Sequence, residues 1–328
     1  MVASVGVTRA VVECRGVVKR FGPRVAVDGL DLDVPAGLCF GLLGPNGAGK
    51  TTALRMIYGV APATEGAIRV FGLDVATETR AVRARIGVTL QENALVEPLS
   101  PVENLRIFAR YHLLARAERE ARIAEVLDFL DLRAFADVPV AKLSGGFKRR
   151  LAIGLSLVSR PELLILDEPT TGLDPAVRIA LWERVRELRD AGTSVLLTTH
   201  YMDEAERLCD RVAVLAAGRV VAEGEPARLI REALAVEALE VEVAPQAEAL
   251  LLGGLDGVPR VRSGRQVALF VPDAAALLQA LRGRGGEAAR LRAVVRPANL
   301  EDLFLHLTGT RLESGEASAA PAAAGGRA

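Results

Sequence analysis

The chain contains 328 residues, and its 41 lysines and arginines balance its 41 aspartates and glutamates, so the formal net charge is zero. This balance argues against a broad nucleic-acid-binding surface, which usually takes the form of a strongly basic domain or stripe. The three cysteines lack metal-type spacing and indicate incidental buried thiols in a reducing compartment. No stretch approaches the roughly 20 apolar residues of a spanning helix. If the protein works at a membrane, we expect another chain to supply the membrane part.

Two strands are predicted ahead of the first glycine-rich loop, over residues 11–14 and 30–34. The second strand alternates apolar and acidic residues with a period of two, as a half-exposed antiparallel strand does. Phe21 lies between them, and taken alone it would be a core aromatic. Because the next strand leads toward a phosphate-binding loop, we interpret Phe21 instead as a platform on which a base stacks.

A phosphate-binding loop is the clearest motif in the chain. Residues 38–43 are predicted as a short buried strand and residues 53–57 as a helix, and the segment between them fits G-x-x-x-x-G-K-[ST]. The segment consists of Gly44, Pro45, Asn46, Gly47, Ala48, Gly49, Lys50, Thr51 and Thr52. Backbone N–H groups and the helix dipole would hold phosphate, Lys50 would contact the β- and γ-phosphates, and Thr51 would ligate Mg²⁺. The alternative, a chance glycine-rich turn, is disfavoured because every fixed position is present.

A helical insertion is expected after the loop helix. A short strand over residues 86–90 delivers Gln91 at its end. Ser100 and Glu103 then form a capping box that opens a helix. A further helix carries an amphipathic face with the spacing i, i+3, i+4, i+7, formed by Ile123, Val126, Leu127 and Leu130. Residues 92–135 are therefore predicted as a helical insertion in an α/β domain.

A second helix start of the anion-binding type follows. Ser144, Gly145 and Gly146 open an apolar helix that runs to about residue 158. The N–H groups of a helix N-terminus can bind an anion, although Ser-Gly-Gly is also an ordinary cap. The basic run over residues 148–150 is interpreted as a solvated helix face.

Two carboxylates follow a buried strand that is predicted over residues 163–166. Ligands of open α/β sheets bind at the carboxyl ends of the strands, where Asp167 and Glu168 emerge. Asp167 would hold Mg²⁺ through water, and Glu168 would orient and polarise the attacking water. The alternative is a strand with a functionless acidic turn, which the complete phosphate-binding loop upstream disfavours.

Taken together, these motifs resemble the ATP-binding cassette (ABC) family and occur in that family's order. They are Walker A (44–52), the Q-loop Gln91, the signature (143–146), Walker B (163–168), the D-loop (172–174) and the switch His200. The resemblance covers about residues 9–236 and implies an ABC ATP-binding domain with a P-loop NTPase fold. That α/β fold has a mainly parallel sheet core, an antiparallel β subdomain and a helical subdomain, here over about residues 92–160.

The resemblance also implies a role for each site residue. ATP and Mg²⁺ are the implied cofactors, and Glu168, His200 and Gln91 are the implied catalytic residues. Thr51, Gln91 and Asp167 are the implied metal ligands. The implied nucleotide-binding residues are those of the Walker A loop together with five others: Phe21, Ser144, Gly145, Gly146 and Asp174. In the family, the signature residues and the Walker A loop belong to opposite halves of a shared nucleotide site.

Finer features resemble the ATPase subunits of ABC-2-type exporters. Residues 170–175, 199–206 and 296–309 are similar to the drug-resistance (daunorubicin) type and the nodulation lipo-oligosaccharide type, and the last segment is most similar to the nodulation type. Two positions depart from the family. Phe147 replaces the common glutamine after the signature glycines, so a polar contact to the opposite nucleotide would be missing. Phe21 replaces the usual tyrosine of the adenine-stacking loop, so the aromatic ring is kept and the hydroxyl group is lost.

Residues 237–308 differ in sequence pattern from the ATP-binding residues before them and are predicted to form a small α+β accessory domain. Its expected strands cover residues 239–243, 266–271 and 289–295, and its expected helices cover residues 274–282 and 300–307. No catalytic constellation is visible there, and a dimer contact or a regulatory role is the hypothesis. Residues 309–328 are rich in alanine, glycine and serine and are predicted to be a disordered tail.

The resemblance implies an ATPase that drives efflux of a small amphiphilic or lipid-like compound, a drug or a lipo-oligosaccharide. It would act as a homodimer on a separate ABC-2-type membrane permease, on the cytoplasmic face of the cell membrane and without nucleic acid. The coupling surface is expected over residues 92–112, where Leu95, Val96 and Leu99 would contact the permease or else pack internally. The rival hypothesis is a non-transport ABC ATPase of ribosomes or DNA, which the single cassette and the absence of heptads disfavour.

Overall fold

The computed structural model describes residues 9–255 and 257–309. The strands, in chain order, are β1 (Ala10–Phe21), β2 (Arg24–Pro35), β3 (Cys39–Leu43), β4 (Glu65–Val70), β5 (Leu73–Asp74), β6 (Ile86–Thr89), β7 (Leu163–Asp167), β8 (Ser194–Thr199), β9 (Arg211–Ala216), β10 (Arg219–Gly224), β11 (Glu237–Glu242), β12 (Arg260–Ser263), β13 (Gln266–Val271) and β14 (Ala293–Pro297). The α-helices are α1 (Lys50–Ile57), α2 (Val75–Arg83), α3 (Pro101–Tyr111), α4 (Arg116–Phe129), α5 (Gly145–Leu157), α6 (Pro175–Asp190), α7 (Met202–Leu208), α8 (Pro226–Ala233), α9 (Glu248–Leu251), α10 (Ala274–Gly283) and α11 (Leu300–Thr308). None of these helices is both long and apolar enough to cross a membrane. The predicted tail lies outside the described residues beyond Gly309.

The central sheet is mainly parallel, with the strand order β10-β9-β3-β8-β7-β6. Every neighbouring pair is parallel except β10 with β9. Strands β3, β7 and β8 are buried along their whole length, which explains why β3 and β7 are almost entirely apolar and why the centre of β8 is apolar. Because these three strands are parallel neighbours, their carboxyl ends lie at one edge of the sheet, where ligands of α/β proteins bind.

An antiparallel sheet with the order β2-β1-β4-β5 packs against the central sheet and α1 through a shared hydrophobic core. Within β2, the apolar side chains of residues 30–34 are buried and the two aspartates are exposed, so the predicted alternation is confirmed. Strand β1 is longer than the predicted 11–14, because bulges shift its register and let it continue to Phe21.

Helices α3 and α4 lie within residues 92–135, where the helical insertion was predicted, and they share a core with α5 on the other side of the central sheet. These three helices are called the helical insertion below. The Ser100 hydroxyl accepts the Glu103 N–H at 3.4 Å and the Glu103 carboxylate accepts the Ser100 N–H at 2.8 Å, so the capping box is confirmed. Helices α4 and α5 approach closely at Gly154. A Cβ there would lie 3.0 Å from the Leu130 side chain and 3.1 Å from that of Val126.

The last sheet is antiparallel and has the order β12-β13-β11-β14. One face, which includes Leu239 and Leu269, forms a separate small core with α10. Phe270 lies in the large core of the ATP-binding part, together with Leu303 and Phe304 of α11. Helix α11 therefore attaches the carboxyl-terminal segment to that core.

The strand predicted over residues 289–295 is wrong in its first half. Residues Gly286–Arg290 form a 3₁₀ helix, and the strand begins only at Ala293. Gly286 has a φ of 59°, a left-handed conformation that turns the chain after α10. Leu291 is buried next to this turn, so the apolar residues of the segment belong to a buried turn rather than to a strand. Periodicity alone cannot separate these two cases.

Candidate active site

The Walker A loop is shaped by glycines in conformations that other residues rarely adopt. Gly44 has a φ of 151°, and a Cβ there would lie 2.3 Å from the Leu215 carbonyl oxygen. Gly49 has a φ of 104°, and its Cβ would lie 2.4 Å from the Ala26 carbonyl oxygen. Helix α1 begins directly afterwards at Lys50. The unpaired N–H groups of its first turn therefore adjoin the loop, which suits a phosphate ligand.

Lys50 is the buried cation of this loop. Its Nζ donates to the carbonyl oxygens of Gly44 at 2.7 Å and Pro45 at 3.2 Å. It also lies 3.6 Å from Oε1 of Glu168. Burial lowers the pKa of Lys50, and the Glu168 carboxylate opposes that shift. The ammonium thus lies between the loop that would hold phosphate and the carboxylate at the end of β7.

Asp167 is held between two hydroxyl groups at the end of β7. Its Oδ1 accepts a hydrogen bond of 2.5 Å from the Thr198 hydroxyl on the neighbouring β8 and one of 3.1 Å from the Thr51 hydroxyl. The structure therefore brings together the two side chains that were predicted, with Gln91, to ligate Mg²⁺. The pairing of β7 with β8 fixes this arrangement, since Asp167 lies opposite Thr198 in the parallel register.

Glu168 turns toward the same site because its backbone leaves the strand conformation. Its φ is 45°, which is uncommon for a residue other than glycine, and its N–H donates to the Thr198 carbonyl oxygen at 3.1 Å. Oε2 accepts hydrogen bonds from Gln91 Nε2 at 3.3 Å and from the Thr171 hydroxyl at 3.2 Å. The two successive carboxylates, which an ideal strand would place on opposite faces, thus converge.

His200 completes the polar ring around Glu168. Its Nδ1 lies 3.3 Å from Oε2 of Glu168, although the contact is not aligned as a hydrogen bond. The His200 contact and then the charge of Lys50 hold the pKa of Glu168 below its usual range, against the opposing effect of burial. Glu168 is therefore an ionised acceptor at neutral pH.

A cleft of about 500 Å³ opens above these groups. Phe21 lies at its rim with 54% of its surface exposed, which suits the predicted stacking platform. Gln91 and Glu168 line the cleft together with the Walker A loop. Arg24 also lines it, and sequence reasoning missed this residue because a single basic residue at the start of a strand carries no distinguishing pattern.

The signature residues do not lie in this cleft. Ser144 precedes α5 and makes no side-chain capping bond, and Asp174 precedes α6 in the same way. Ser144, Gly145 and Asp174 are exposed, and none of them lines the Walker A cleft of their own chain. Phe147 packs instead on the Phe135 ring at 4.3 Å between centroids, within the helical insertion.

The interpretation of residues 148–150 as a solvated face is wrong for Arg149. This side chain is only 4% exposed and points into the protein. Its guanidinium donates to the main-chain oxygens of Leu90, Asp167, Glu168 and Pro169. Sequence reasoning missed Arg149 because its neighbours in the run are also basic and only the folded chain distinguishes them.

A second groove, of about 560 Å³, runs between α1 and the helical insertion. It is mainly apolar and its lining includes Tyr58, Val60, Leu90, Phe108 and Leu155.

The three apolar residues proposed as partner contacts differ in how far they are buried. Leu95 packs against the large core and Leu99 is half-buried, whereas Val96 is 43% exposed. Of the three, only Val96 is exposed, and contact with the permease stays a prediction.

Two known families match separate parts of the chain, and relatives match about nine-tenths of it. The ABC transporter family matches residues 27–171, and the family described as "Nodulation factor export protein NodI, C-terminal domain" matches residues 260–309. The chain is 45% identical over 306 residues to "Nod factor export ATP-binding protein I" of Cupriavidus metallidurans, covering 92% of this chain and 99% of that protein. The chain belongs to the ABC transporter family. A protein of the same name from Sinorhizobium fredii is also 45% identical, covering 92% of this chain and 87% of that protein.

Solved structures agree with this assignment. The "ATP binding subunit of ABC transporter" is 32% identical with a TM-score of 0.62, covering 68% of this chain and 92% of that chain. The cbiO1 protein of Clostridium perfringens gives a TM-score of 0.63 at 27% identity, and the match covers 68% of this chain and 91% of that chain. A cassette solved as a dimer with ADP and phosphate gives 0.60 at 26% identity, covering 65% and 98%. This ABC subunit is thus an ATPase with the P-loop NTPase fold expected from its motifs, and its activity is coupled to transport.

Proposed function

We propose that this ATPase drives export of an amphiphilic lipo-oligosaccharide through a separate ABC-2-type permease. The observation that carries the proposal is the convergence of Lys50, Gln91 and His200 on Glu168 at the end of the central sheet. The cargo class is supported by the Nod factor export named for the relatives and by the carboxyl-terminal family match at residues 260–309. None of the relatives reported above is named for work on ribosomes or DNA.

Glu168 is proposed as the group that orients and polarises the attacking water. A carboxylate with a lowered pKa stays ionised, so it can accept a hydrogen bond from water and align that water with the γ-phosphate. Gln91 and His200 lie within 3.3 Å of the same Oε2, where they would position the water and the γ-phosphate. Lys50 would contact the β- and γ-phosphates.

Mg²⁺ fits the donor set at this strand end. The Thr51 hydroxyl lies 3.1 Å from Oδ1 of Asp167, and Mg²⁺ in nucleotide sites is bound by a small number of protein oxygens together with phosphate oxygens and water. Gln91 is the proposed third protein ligand, from an adjacent position in the cleft. When bound, the ion would neutralise charge that develops on the β- and γ-phosphates.

A second copy of the chain is proposed to complete each site. Ser144 and Asp174 are exposed and lie outside their own Walker A cleft, so they are available to the nucleotide of a partner copy. A helix that begins at Gly145 offers N–H groups to such a phosphate. The relative solved as a dimer with ADP and phosphate supports this arrangement.

The permease is proposed to bind in the apolar groove beside the Q-loop. The groove lies between the ATP-binding core and the helical insertion, so a bound permease segment would contact both parts. Movement of one part relative to the other would therefore act on the permease. The protein would then lie on the cytoplasmic face of the membrane through this contact.

We also propose that the chain divides into an ATP-binding domain over residues 9–236, with its helical subdomain at about 92–160, and an accessory domain over residues 237–308.

Membrane co-fractionation with a co-expressed candidate permease tests this proposal. Val60→Glu places a charge in the groove, where Val60 is 60% exposed, and we expect it to release the protein from the membrane fraction. Val236→Glu is the matched control, because Val236 is 59% exposed and does not line the groove. Export of labelled lipo-oligosaccharide should fall in the first variant only. Equal membrane binding and export in both variants would refute the proposed groove.

A further inference from the structure

Arg149 of α5 holds the turn that carries the catalytic carboxylate. Its Nε donates to the Pro169 carbonyl oxygen at 2.7 Å, and its Nη2 donates to the carbonyl oxygens of Asp167 at 2.9 Å and Glu168 at 3.0 Å. One guanidinium thus binds three successive main-chain oxygens, from the last residue of β7 and the two residues that follow it. The planar fork of arginine suits such contacts because its donors are fixed relative to one another.

The other edge of the same guanidinium holds the Q-loop. Nη1 donates to the carbonyl oxygens of Leu90 at 2.6 Å and Gln91 at 3.2 Å, and to Oδ1 of Asn93 at 3.1 Å. All six of its hydrogen-bond partners are main-chain or amide oxygens rather than carboxylates. Such an arrangement fixes the backbone of two separate segments relative to one another.

Burial of this charge is compensated by its surroundings. Burial lowers the pKa of Arg149, and the charges of Asp167, Glu204 and Glu168 oppose that shift. An arginine stays protonated under these conditions, and its desolvation is offset by the surrounding oxygen atoms. A lysine at this position would keep the charge, but a single ammonium with three donors could not reach both segments in the same way.

We propose that Arg149 is a positioning residue that fixes Glu168 relative to Gln91 and links both to the signature helix. The proposal rests on the proposed role of Glu168. Glu168 has the uncommon φ of 45°, and such a conformation persists only when neighbouring groups hold it. Arg149 lies on the helix that begins at Gly145, so contact of the signature with a partner's nucleotide would be transmitted to Glu168.

Steady-state ATP hydrolysis by Arg149→Lys tests the proposal. We expect kcat to fall about 10- to 100-fold, because a misplacement of about 1 Å can cost 10²-fold, while KM for ATP changes less than about threefold. Arg150→Lys is the matched control on the same helix. The Arg150 side chain donates to the Leu130 carbonyl oxygen inside the helical insertion, and we expect its kcat to stay within about twofold of wild type.

Combination with Glu168→Gln separates positioning from a general structural role. If Arg149 acts by placing Glu168, Arg149→Lys should slow the residual hydrolysis of Glu168→Gln by less than about threefold. An equal fold-loss in both backgrounds, or an unchanged kcat in Arg149→Lys alone, would overturn the proposal. Near-normal hydrolysis by Glu168→Gln alone would instead refute the base assignment, so the two failures are distinguishable.

Asn93→Ala is the second variant if Arg149→Lys does not fold. It removes only the side-chain partner at the Q-loop edge of the guanidinium and leaves the buried arginine in place. We expect a several-fold loss of kcat in the wild-type background and no further loss in Glu168→Gln. Wild-type kcat in Asn93→Ala, or an equal loss in both backgrounds, would count against the proposal.

Discussion

Thr198→Val is the substitution whose cost follows most directly from the site geometry. Thr198 is fully buried, and its hydroxyl donates to Asp167 at 2.5 Å. Valine has a similar shape but cannot donate, so Asp167 would keep only its hydrogen bond from Thr51. The Glu168 N–H would not lose its partner, since it also donates to the Thr198 carbonyl oxygen. A hydrogen bond to a charged group contributes about 1.5–3 kcal/mol, and we expect the free energy of unfolding to fall by that amount.

Urea unfolding followed by the fluorescence of the single tryptophan, the buried Trp182, measures this loss. Thr89→Val is the matched control, because the buried Thr89 hydroxyl donates to the uncharged Ser156 hydroxyl at 2.9 Å. We expect the control to cost about 1 kcal/mol, as neutral hydrogen bonds do. The reasoning about Asp167 would be refuted if Thr198→Val were no more destabilising than Thr89→Val.

Three further substitutions test other parts of the account. Gly49→Ala should abolish ATP binding in calorimetry, since its Cβ would lie 2.4 Å from the Ala26 carbonyl oxygen; normal affinity would contradict the loop geometry. Phe304→Ala should lower the free energy of unfolding by about 3–5 kcal/mol, because α11 lies in the large core; a change under about 1 kcal/mol would show that α11 is not part of it. Ser144→Arg should abolish hydrolysis while ATP binding at the Walker A loop stays largely intact, and normal hydrolysis would refute the shared site.

The placement of the Walker A loop and Asp167 at the carboxyl ends of the central strands can be predicted from the sequence, because the patterns that indicate it are short and local. The four apolar residues before Asp167 favour a short buried strand, and the loop before Lys50 has every fixed position of a phosphate site. Both therefore had to lie at the same edge of a parallel sheet. The conformation of Glu168 could not be predicted, because its φ of 45° depends on the bonds that Thr198 and Arg149 make with its backbone.

The burial of a single charged residue cannot be predicted from its local sequence here. A basic run at a helix start is compatible with solvent, and nothing local distinguishes Arg149 from Lys148 and Arg150. The difference arises from the packing of α5 over the ends of β6 and β7, where unpaired carbonyl oxygens need donors. Contacts between segments far apart in the chain decided this, as they decided that Leu95 packs inward.

The ATP turnover of Glu168→Gln tests the central claim most directly. Glutamine keeps the size of the side chain but removes its negative charge, so we expect normal ATP binding and a rate lower by about 10²–10⁴-fold. Size-exclusion chromatography with ATP and Mg²⁺ should then show an accumulated dimer. Glu162→Gln is the matched control, because the exposed Glu162 directly precedes β7 at the opposite end of the same strand, where it pairs with Arg85 at 2.6 Å. Near-normal turnover in Glu168→Gln would contradict the account and leave Gln91 or His200 as the group that handles water.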